Sequence, residues 1–157
     1  MAVERHALPT EYRVRNPDFE AEAERVFYQA PFVRDLGFKL ISFEAGRCET
    51  ELLLQVKHLQ QDGYVHAGVQ ATLADHSAGT AAATLLAPGQ IVLTAEFKIN
   101  LLRAAKGERL SCRAWVLKPG GSLIIAESEV YCLNDTRAEL VSKAMVTLAV
   151  VDAGQKT

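Results

Sequence analysis

Along the chain the apolar positions change rhythm, and each change marks a new element. Residues 1–17 carry no apolar period and contain Pro9 and Pro17, which reads as an extended arm. From Asp18, a residue able to cap a helix, to about Gln29, the residues Phe19, Val26 and Phe27 form an apolar stripe. Glu20, Glu22 and Glu24 lie near the positive end of that helix, and Pro31 ends it. Residues 32–38 lead into a short strand at 39–43 and a turn at Glu44-Ala45-Gly46. Over 47–56 the period is two. Thr50, Leu52, Leu54 and Val56 point one way and Glu49, Glu51 and Gln55 the other, with Leu53 out of step. A polar loop, 57–64, follows.

Residues 65–86 differ in kind. They hold few strand formers and many alanines, and Val69, Leu73, Thr80 and Leu85 recur at roughly helical spacing. A helix of about 18 residues would run about 27 Å, long enough to cross a whole sheet. Ala71, Ala74, Ala78, Ala81 and Ala82 would let that sheet approach closely. Four strand-like runs come next, at 93–100, 109–118, 122–133 and 139–151, with turns at Pro119-Gly120-Gly121 and Asn134-Asp135. In the first of them Leu93, Ala95, Phe97 and Ile99 alternate with Thr94, Glu96, Lys98 and Asn100. The pattern predicts an α+β domain in which one long helix is wrapped by a curved antiparallel sheet of about six strands, the last four forming a meander. Residues 1–30 make an arm and helix, 31–152 the main domain and 153–157 a tail.

Length and composition agree with one soluble domain. The net charge of −2 gives no reason to expect nucleic acid or an anionic membrane as partner. No apolar run has the length of a membrane span, and the N-terminus has no apolar signal core, so a cytoplasmic location is expected. Cys48, Cys112 and Cys132 are odd in number, widely spaced and embedded in apolar runs, which favours buried thiols over disulfides or a zinc site.

The chemistry concentrates between Leu59 and Ala82. A polar loop runs through His66 directly into the helix, whose N-terminus offers unpaired N–H groups to a developing oxyanion. Further along, Asp75 interrupts an alanine-rich helix, and a half-buried carboxylate there must be hydrogen-bonded or functional. His66 and Asp75 are nine residues apart, which is about 900° of rotation and about 13 Å of rise. They would therefore face opposite ways, and a site that uses both needs a second copy of the chain. The spacing predicts a homodimer.

The run Gln60…Gly63-Tyr64-Val65-His66-Ala67-Gly68…Leu73-Ala74-Asp75…Gly79-Thr80-Ala81-Ala82 resembles the signature of PaaI-like hot-dog acyl-CoA thioesterases. Residues 94–103, followed by Gly107-Glu108, resemble that family's central strand and turn. The resemblance spans about 31–151. It implies a hot-dog fold, assembly as a homodimer or a dimer of dimers, hydrolysis of an acyl-coenzyme A thioester, and no cofactor apart from the coenzyme A of the substrate. It implies further that Asp75 is the nucleophile or general base and that the Ala67 N–H polarises the thioester carbonyl. Gln60 orients substrate or water, His66 shapes the loop, and Thr94 stands where some members position the hydrolytic water. Gly68, Gly79 and Thr80 would border the substrate.

Three departures stand out. Ala67 replaces the first glycine of a common His-Gly-Gly, Gly79 stands where one branch has Thr, and Ala104 replaces a usual Pro. His76 is expected at a subunit interface or on the surface, and His58 in solvent. Arg103, Lys106, Arg109 and Lys118 border turns and could meet the phosphates of coenzyme A, or simply form a solvated rim. A dehydratase or hydratase on the same fold, and a non-catalytic acyl-CoA-binding domain, are the competing readings.

Overall fold

The computed structural model describes residues 12–135 and 137–154, so the first eleven residues of the expected arm and the last three of the tail lie outside the described residues. In chain order the elements are α1 (Phe19–Tyr28), α2 (Pro31–Leu36), β1 (Lys39–Glu44), β2 (Arg47–Leu53), a 3₁₀ turn (Val56–His58), α3 (Ala67–Ala83), β3 (Gln90–Leu101), β4 (Arg109–Lys118), β5 (Leu123–Asn134) and β6 (Arg137–Asp152). All pairings are antiparallel, in one six-stranded sheet ordered β1-β2-β4-β5-β6-β3.

The strands alternate as their sequences require. Leu110, Cys112, Ala114 and Val116 of β4, and Ile124, Ala126, Ser128 and Val130 of β5, are buried against α3. On the convex face Arg109 pairs with Glu51 at 3.4 Å, Arg113 with Glu49 at 3.0 Å and Lys143 with Glu127 at 3.0 Å. Fully buried Ala74, Ala78, Ala81 and Ala82 bring the α3 backbone close to the sheet. Enlarging one of them to leucine would overpack the core at a cost of about 1–3 kcal/mol.

Several expectations need correction. Pro31 does not end a helix; it begins a second one at a position where a missing N–H costs nothing, and Gly37, at φ 85°, closes that helix in the left-handed region. Asp18 stands at the start of α1 without a side-chain capping bond. β2 stops at Leu53, and Val56 points into solvent from the 3₁₀ turn. His58, expected in solvent, is only 1% exposed. Its Nδ1 accepts from the Gln55 N–H at 2.9 Å and its Nε2 donates to the Leu36 carbonyl at 2.9 Å, tying the turn to α2.

The last four strands are not one meander. β4, β5 and β6 are, but β3 pairs with β6 at the far edge, so the chain crosses over between β3 and β4. β3 also carries a bulge between Thr94 and Glu96. The extra residue, Ala95, breaks the expected alternation: Thr94 pairs with Leu148 and Phe97 with Val146, both partners buried on the helix side. Thr94 thus shares a face with Phe97 and Ile99, while Glu96 and Lys98 face outward. β3 remains open along most of its length, with Leu93 53% and Phe97 42% exposed.

What can be seen of the arm lies far from the loop that enters α3. The Tyr12 hydroxyl donates to the Val116 carbonyl, its ring covers Gly46, and Arg15 Nε donates to the Leu85 carbonyl at 2.9 Å. A Cβ at Gly46 would lie 2.7 Å from the Tyr12 ring, and its φ of 71° already favours glycine.

Candidate active site

The loop before α3 is pinned at both ends by backbone bonds: Val65 N–H to the Ala105 carbonyl at 2.9 Å, and His66 N–H to the His58 carbonyl at 2.9 Å. His66 then caps α3 in extended geometry (φ −60°, ψ 137°), its Nδ1 accepting from the Gly68 N–H at 2.9 Å. Its carbonyl takes the N–H groups of Val69 and Gln70. Of the first N–H groups of α3, that of Ala67 has no protein acceptor among the described residues. A helix N-terminus with one free donor can hold an oxyanion. A Cβ at Gly68 would approach His66 Nδ1 to 3.0 Å, so the capping ring would have to give by a few tenths of an ångström.

On the other side of the helix, Asp75 Oδ1 accepts from the Thr94 hydroxyl at 2.8 Å. The bulge in β3 turns that hydroxyl inward. Asp75 shares the least covered flank of α3 with Gly68, Ala71 and Gly79, and a Cβ at Gly79 would meet nothing within 4 Å. Burial pushes the Asp75 carboxyl above its ordinary pKa, while the Thr94 hydrogen bond and nearby His76 pull it part of the way back. His76 is half-buried beneath α1: its Nε2 donates to the Phe27 carbonyl at 3.2 Å and its ring packs 5.0 Å from the Phe27 ring. Burial beneath α1 lowers its pKa, partly offset by that carbonyl and by Asp75.

The structure therefore joins Asp75 to Thr94 but keeps both apart from His66 and Ala67. The eight-residue separation of Ala67 and Asp75 on one continuous helix is about 12 Å of rise. Ala67 opens on a cleft of about 420 Å³ that Gln60, Tyr64, Gln70, Leu101 and Arg103 also line. The His66 ring faces a different depression, beside Phe32, Leu36 and Thr72. Gln60 turns its side-chain oxygen back to the Asp62 N–H within the loop.

Thr80, a candidate at the substrate border, is instead in the core, fully buried with its hydroxyl donating to the His76 carbonyl at 2.9 Å. Arg103 stands at the cleft rim, paired with Glu139 at 3.2 Å, and Lys106 lies 5.9 Å above the Tyr64 ring. Lys118 is at the opposite end of β4 from Arg109 and does not join them.

One residue of the cleft escaped the reading of the sequence. Gln70 is 3% exposed, and its Oε1 is buried with no hydrogen-bond partner among the described residues. Its signal was available: it lies on the same helical face as Ala74, Ser77 and Ala81, where a glutamine is out of place. Among the described residues no group of His, Cys, Asp and Glu is placed to hold a metal ion, and no helix is long and apolar enough to cross a membrane.

Comparison with known proteins places this geometry. Residues 62–139 match the family model of the thioesterase superfamily. A thioesterase family protein from Silicibacter pomeroyi superposes with a TM-score of 0.83 at 32% identity, over 85% of this chain and 98% of that one. A 1,4-dihydroxy-2-naphthoyl-CoA hydrolase of Listeria monocytogenes is 29% identical over 115 residues, which cover 73% of this chain and 91% of the relative. The PaaI protein of the E. coli phenylacetic acid degradation operon shares the fold, with a TM-score of 0.75 at 17% identity over 87% of this chain and 96% of that one.

Proposed function

The chain belongs to the thioesterase superfamily, and we propose that it hydrolyses acyl-coenzyme A thioesters with Asp75 as general base. The observation that carries the assignment is the Asp75 carboxylate, held at 2.8 Å by the Thr94 hydroxyl on an uncovered flank of α3 and raised in pKa by burial. A carboxylate poised above its usual range accepts a proton more readily than an ordinary surface aspartate does. With Oδ1 engaged by Thr94, Oδ2 removes a proton from water. The water oxygen bonds to the thioester carbon, and the carbonyl electrons move onto the oxygen held by the Ala67 N–H. Collapse breaks the C–S bond, and the departing coenzyme A sulfur takes the proton from Asp75.

Both halves of this site come together only across a homodimer, Ala67 from one protomer and the partner's Asp75. The long open edge of β3, with Leu93 and Phe97 exposed beside Asp75, supports that assembly, since such an edge on a monomer invites pairing with another chain. A dehydratase would need His66 and an acid acting together on the acyl carbons. The His66 ring is engaged by the Gly68 N–H and lines a depression separate from the cleft on which Ala67 opens, which favours hydrolysis.

The test is thiol release from a panel of aromatic and aliphatic acyl-CoAs by wild type and Asp75→Asn. Turnover in wild type that falls by about 10³-fold in the variant supports the assignment. Tight binding of acyl-CoA without release of thiol from any member would instead make this a binding domain. A single turnover in ¹⁸O-water separates the two roles of Asp75. General-base attack labels the product acid on the first turnover and leaves Asp75 unlabelled, whereas direct attack followed by opening of the anhydride at the Asp75 carbonyl releases unlabelled acid and puts the label on Asp75.

A further inference from the structure

At the far end of α3 from Ala67, two arginines of the N-terminal arm stand without counter-charge. Arg25, Arg47, Arg103, Arg109, Arg113 and Arg137 each pair with a glutamate. Arg13 and Arg15 have no such partner among the described residues, and both line one cavity of about 230 Å³ between the arm, Leu85 and the Pro119-Gly120-Gly121 turn. Arg15 gives its Nε–H to the Leu85 carbonyl, which offsets the negative end of the helix and leaves both Nη groups without an acceptor. The Arg13 guanidinium makes no bond to any described residue. The N–H groups of Gly120 and Gly121 have no protein acceptor among the described residues either, and no carboxylate lines the cavity. Open guanidinium forks beside free backbone donors are what a phosphate group requires. We infer a second binding site here, for a phosphate-bearing ligand held by Arg13, Arg15 and the turn.

Within one chain the site lies beyond about 24 Å of helix from Ala67. The dimer changes that, and the argument from here rests on the thioesterase reading. In a twofold dimer, pairing Ala67 with the partner's Asp75 also pairs Asp75 with the partner's Ala67, so the two α3 helices run antiparallel. Past Ala67, on the side of the entry loop, the partner's helix therefore continues from the partner's Asp75 to its C-terminus, eight residues or about 12 Å further on. Its end carries the partner's Arg13 and the partner's Arg15 toward the mouth of the cleft. At that mouth Arg103 is already paired with Glu139 at 3.2 Å, whereas the guanidinium groups of the arm are open. The phosphate chemistry has two sources, the nucleotide end of a coenzyme A bound in the neighbouring cleft and a free phosphate compound.

The experiment measures binding of coenzyme A, pantetheine and inorganic pyrophosphate by calorimetry to the full chain, as wild type, Arg13→Gln and Arg15→Gln. Lys39→Gln, which removes one exposed charge from β1, is the control. The Arg13 side chain has no described partner to lose, and the amide in Arg15→Gln still donates to Leu85, so both variants fold. Coenzyme A should bind each arm variant about tenfold or more weakly than wild type, while pantetheine binds all alike and Lys39→Gln stays within about twofold of wild type. With an acyl-CoA substrate the same variants raise KM and leave kcat unchanged. Loss of pyrophosphate binding in the arm variants with coenzyme A unaffected keeps the site and makes a free phosphate compound its ligand. If neither coenzyme A nor pyrophosphate distinguishes Arg13→Gln from wild type, the proposal is overturned and the two arginines only cap the helix. An equal loss in Lys39→Gln overturns it as well, as an effect of general charge. These are binding measurements, so absence of thiol release with binding intact sinks the thioesterase reading and leaves the site standing.

Discussion

The two flanks of α3 treat polar groups in opposite ways. On the flank packed against β2, β4 and β5, Thr50 and Ser77 share a hydrogen bond at 2.7 Å, Ser77 also donates to the Leu73 carbonyl at 2.7 Å, and Ser128 donates to the Ala74 carbonyl at 2.7 Å. Cys112 sits among these hydroxyls, its thiol pushed up to about 12 by burial. At the N-terminal end of the helix the Ala67 N–H and Gln70 Oε1 have no partner among the described residues, and on the flank facing β3 Asp75 carries a raised pKa. Around one helix, polar groups that close on one another hold the fold, and those left open are available to a substrate. The contrast implies that the open flank costs stability and the closed flank supplies it.

Asp75→Asn breaks the contrast most sharply, because it should remove activity without removing stability. A carboxyl with a raised folded-state pKa favours folding below the unfolded value and loses that contribution as pH rises through the folded one. At pH 7 the native carboxylate is therefore a liability, and asparagine, which can still accept from Thr94, relieves it. Turnover falls by about 10³-fold while the thermal midpoint at pH 7 is unchanged or higher, an advantage that shrinks as pH drops below the usual carboxylate range. A clear loss of midpoint at pH 7 would make Asp75 a structural residue.

Next in size is Ala67→Pro. Ala67 is the first residue of α3, where proline is welcome, and His66 already has the extended backbone that a following proline requires. The substitution removes one N–H and little else, so kcat should drop by about 10²–10³-fold in a folded protein. Co-expression with Asp75→Asn then tests the shared site. Random pairing makes half the dimers mixed, each with one intact site of two, so about a quarter of wild-type activity returns. No recovery would place both groups of each site within one chain.

How much of this was legible beforehand follows the same division. The α3 core face, the hairpin strands and the His66-to-Asp75 separation could be read because each depends on local period, and local period is what a sequence records. The position of β3 could not, since strand order is set by tertiary pairing: nothing between Gln90 and Leu101 says that the partner is β6 rather than β4. Nor could the bulge at Ala95, which moves Thr94 from the face of Glu96 to that of Phe97 and so builds its contact with Asp75. By its sequence neighbours His58 reads as an isolated polar residue in a loop. Its burial depends on α2, a helix hidden by the assumption that Pro31 stops rather than starts one.

Thr94→Val is a finer probe of the open flank. Its hydroxyl lowers the Asp75 pKa against the larger, raising effect of burial. Without it the carboxyl moves further up, so the acid limb of the kcat/KM profile, where activity falls as Asp75 protonates, shifts to higher pH. A limb that stays in place while the plateau falls would mean that Thr94 orients water and not the carboxylate.

The smallest effect belongs to the closed flank. Ser128→Ala removes a fully buried hydroxyl whose acceptor, the Ala74 carbonyl, also lies inside a regular helix. The carbonyl can keep its helical bond to the Ala78 N–H, so no buried group is stranded, and the loss should be about 0.5–1.5 kcal/mol of stability. Yet Ala74 is the residue before Asp75, and Ser128 fixes that turn of helix to β5. If the two flanks are independent, kcat and the pH profile of Ser128→Ala match wild type while urea unfolding registers the loss. A change in the acid limb instead would mean that the closed flank sets the position of Asp75, and that the satisfied side of the helix is part of the catalytic apparatus after all.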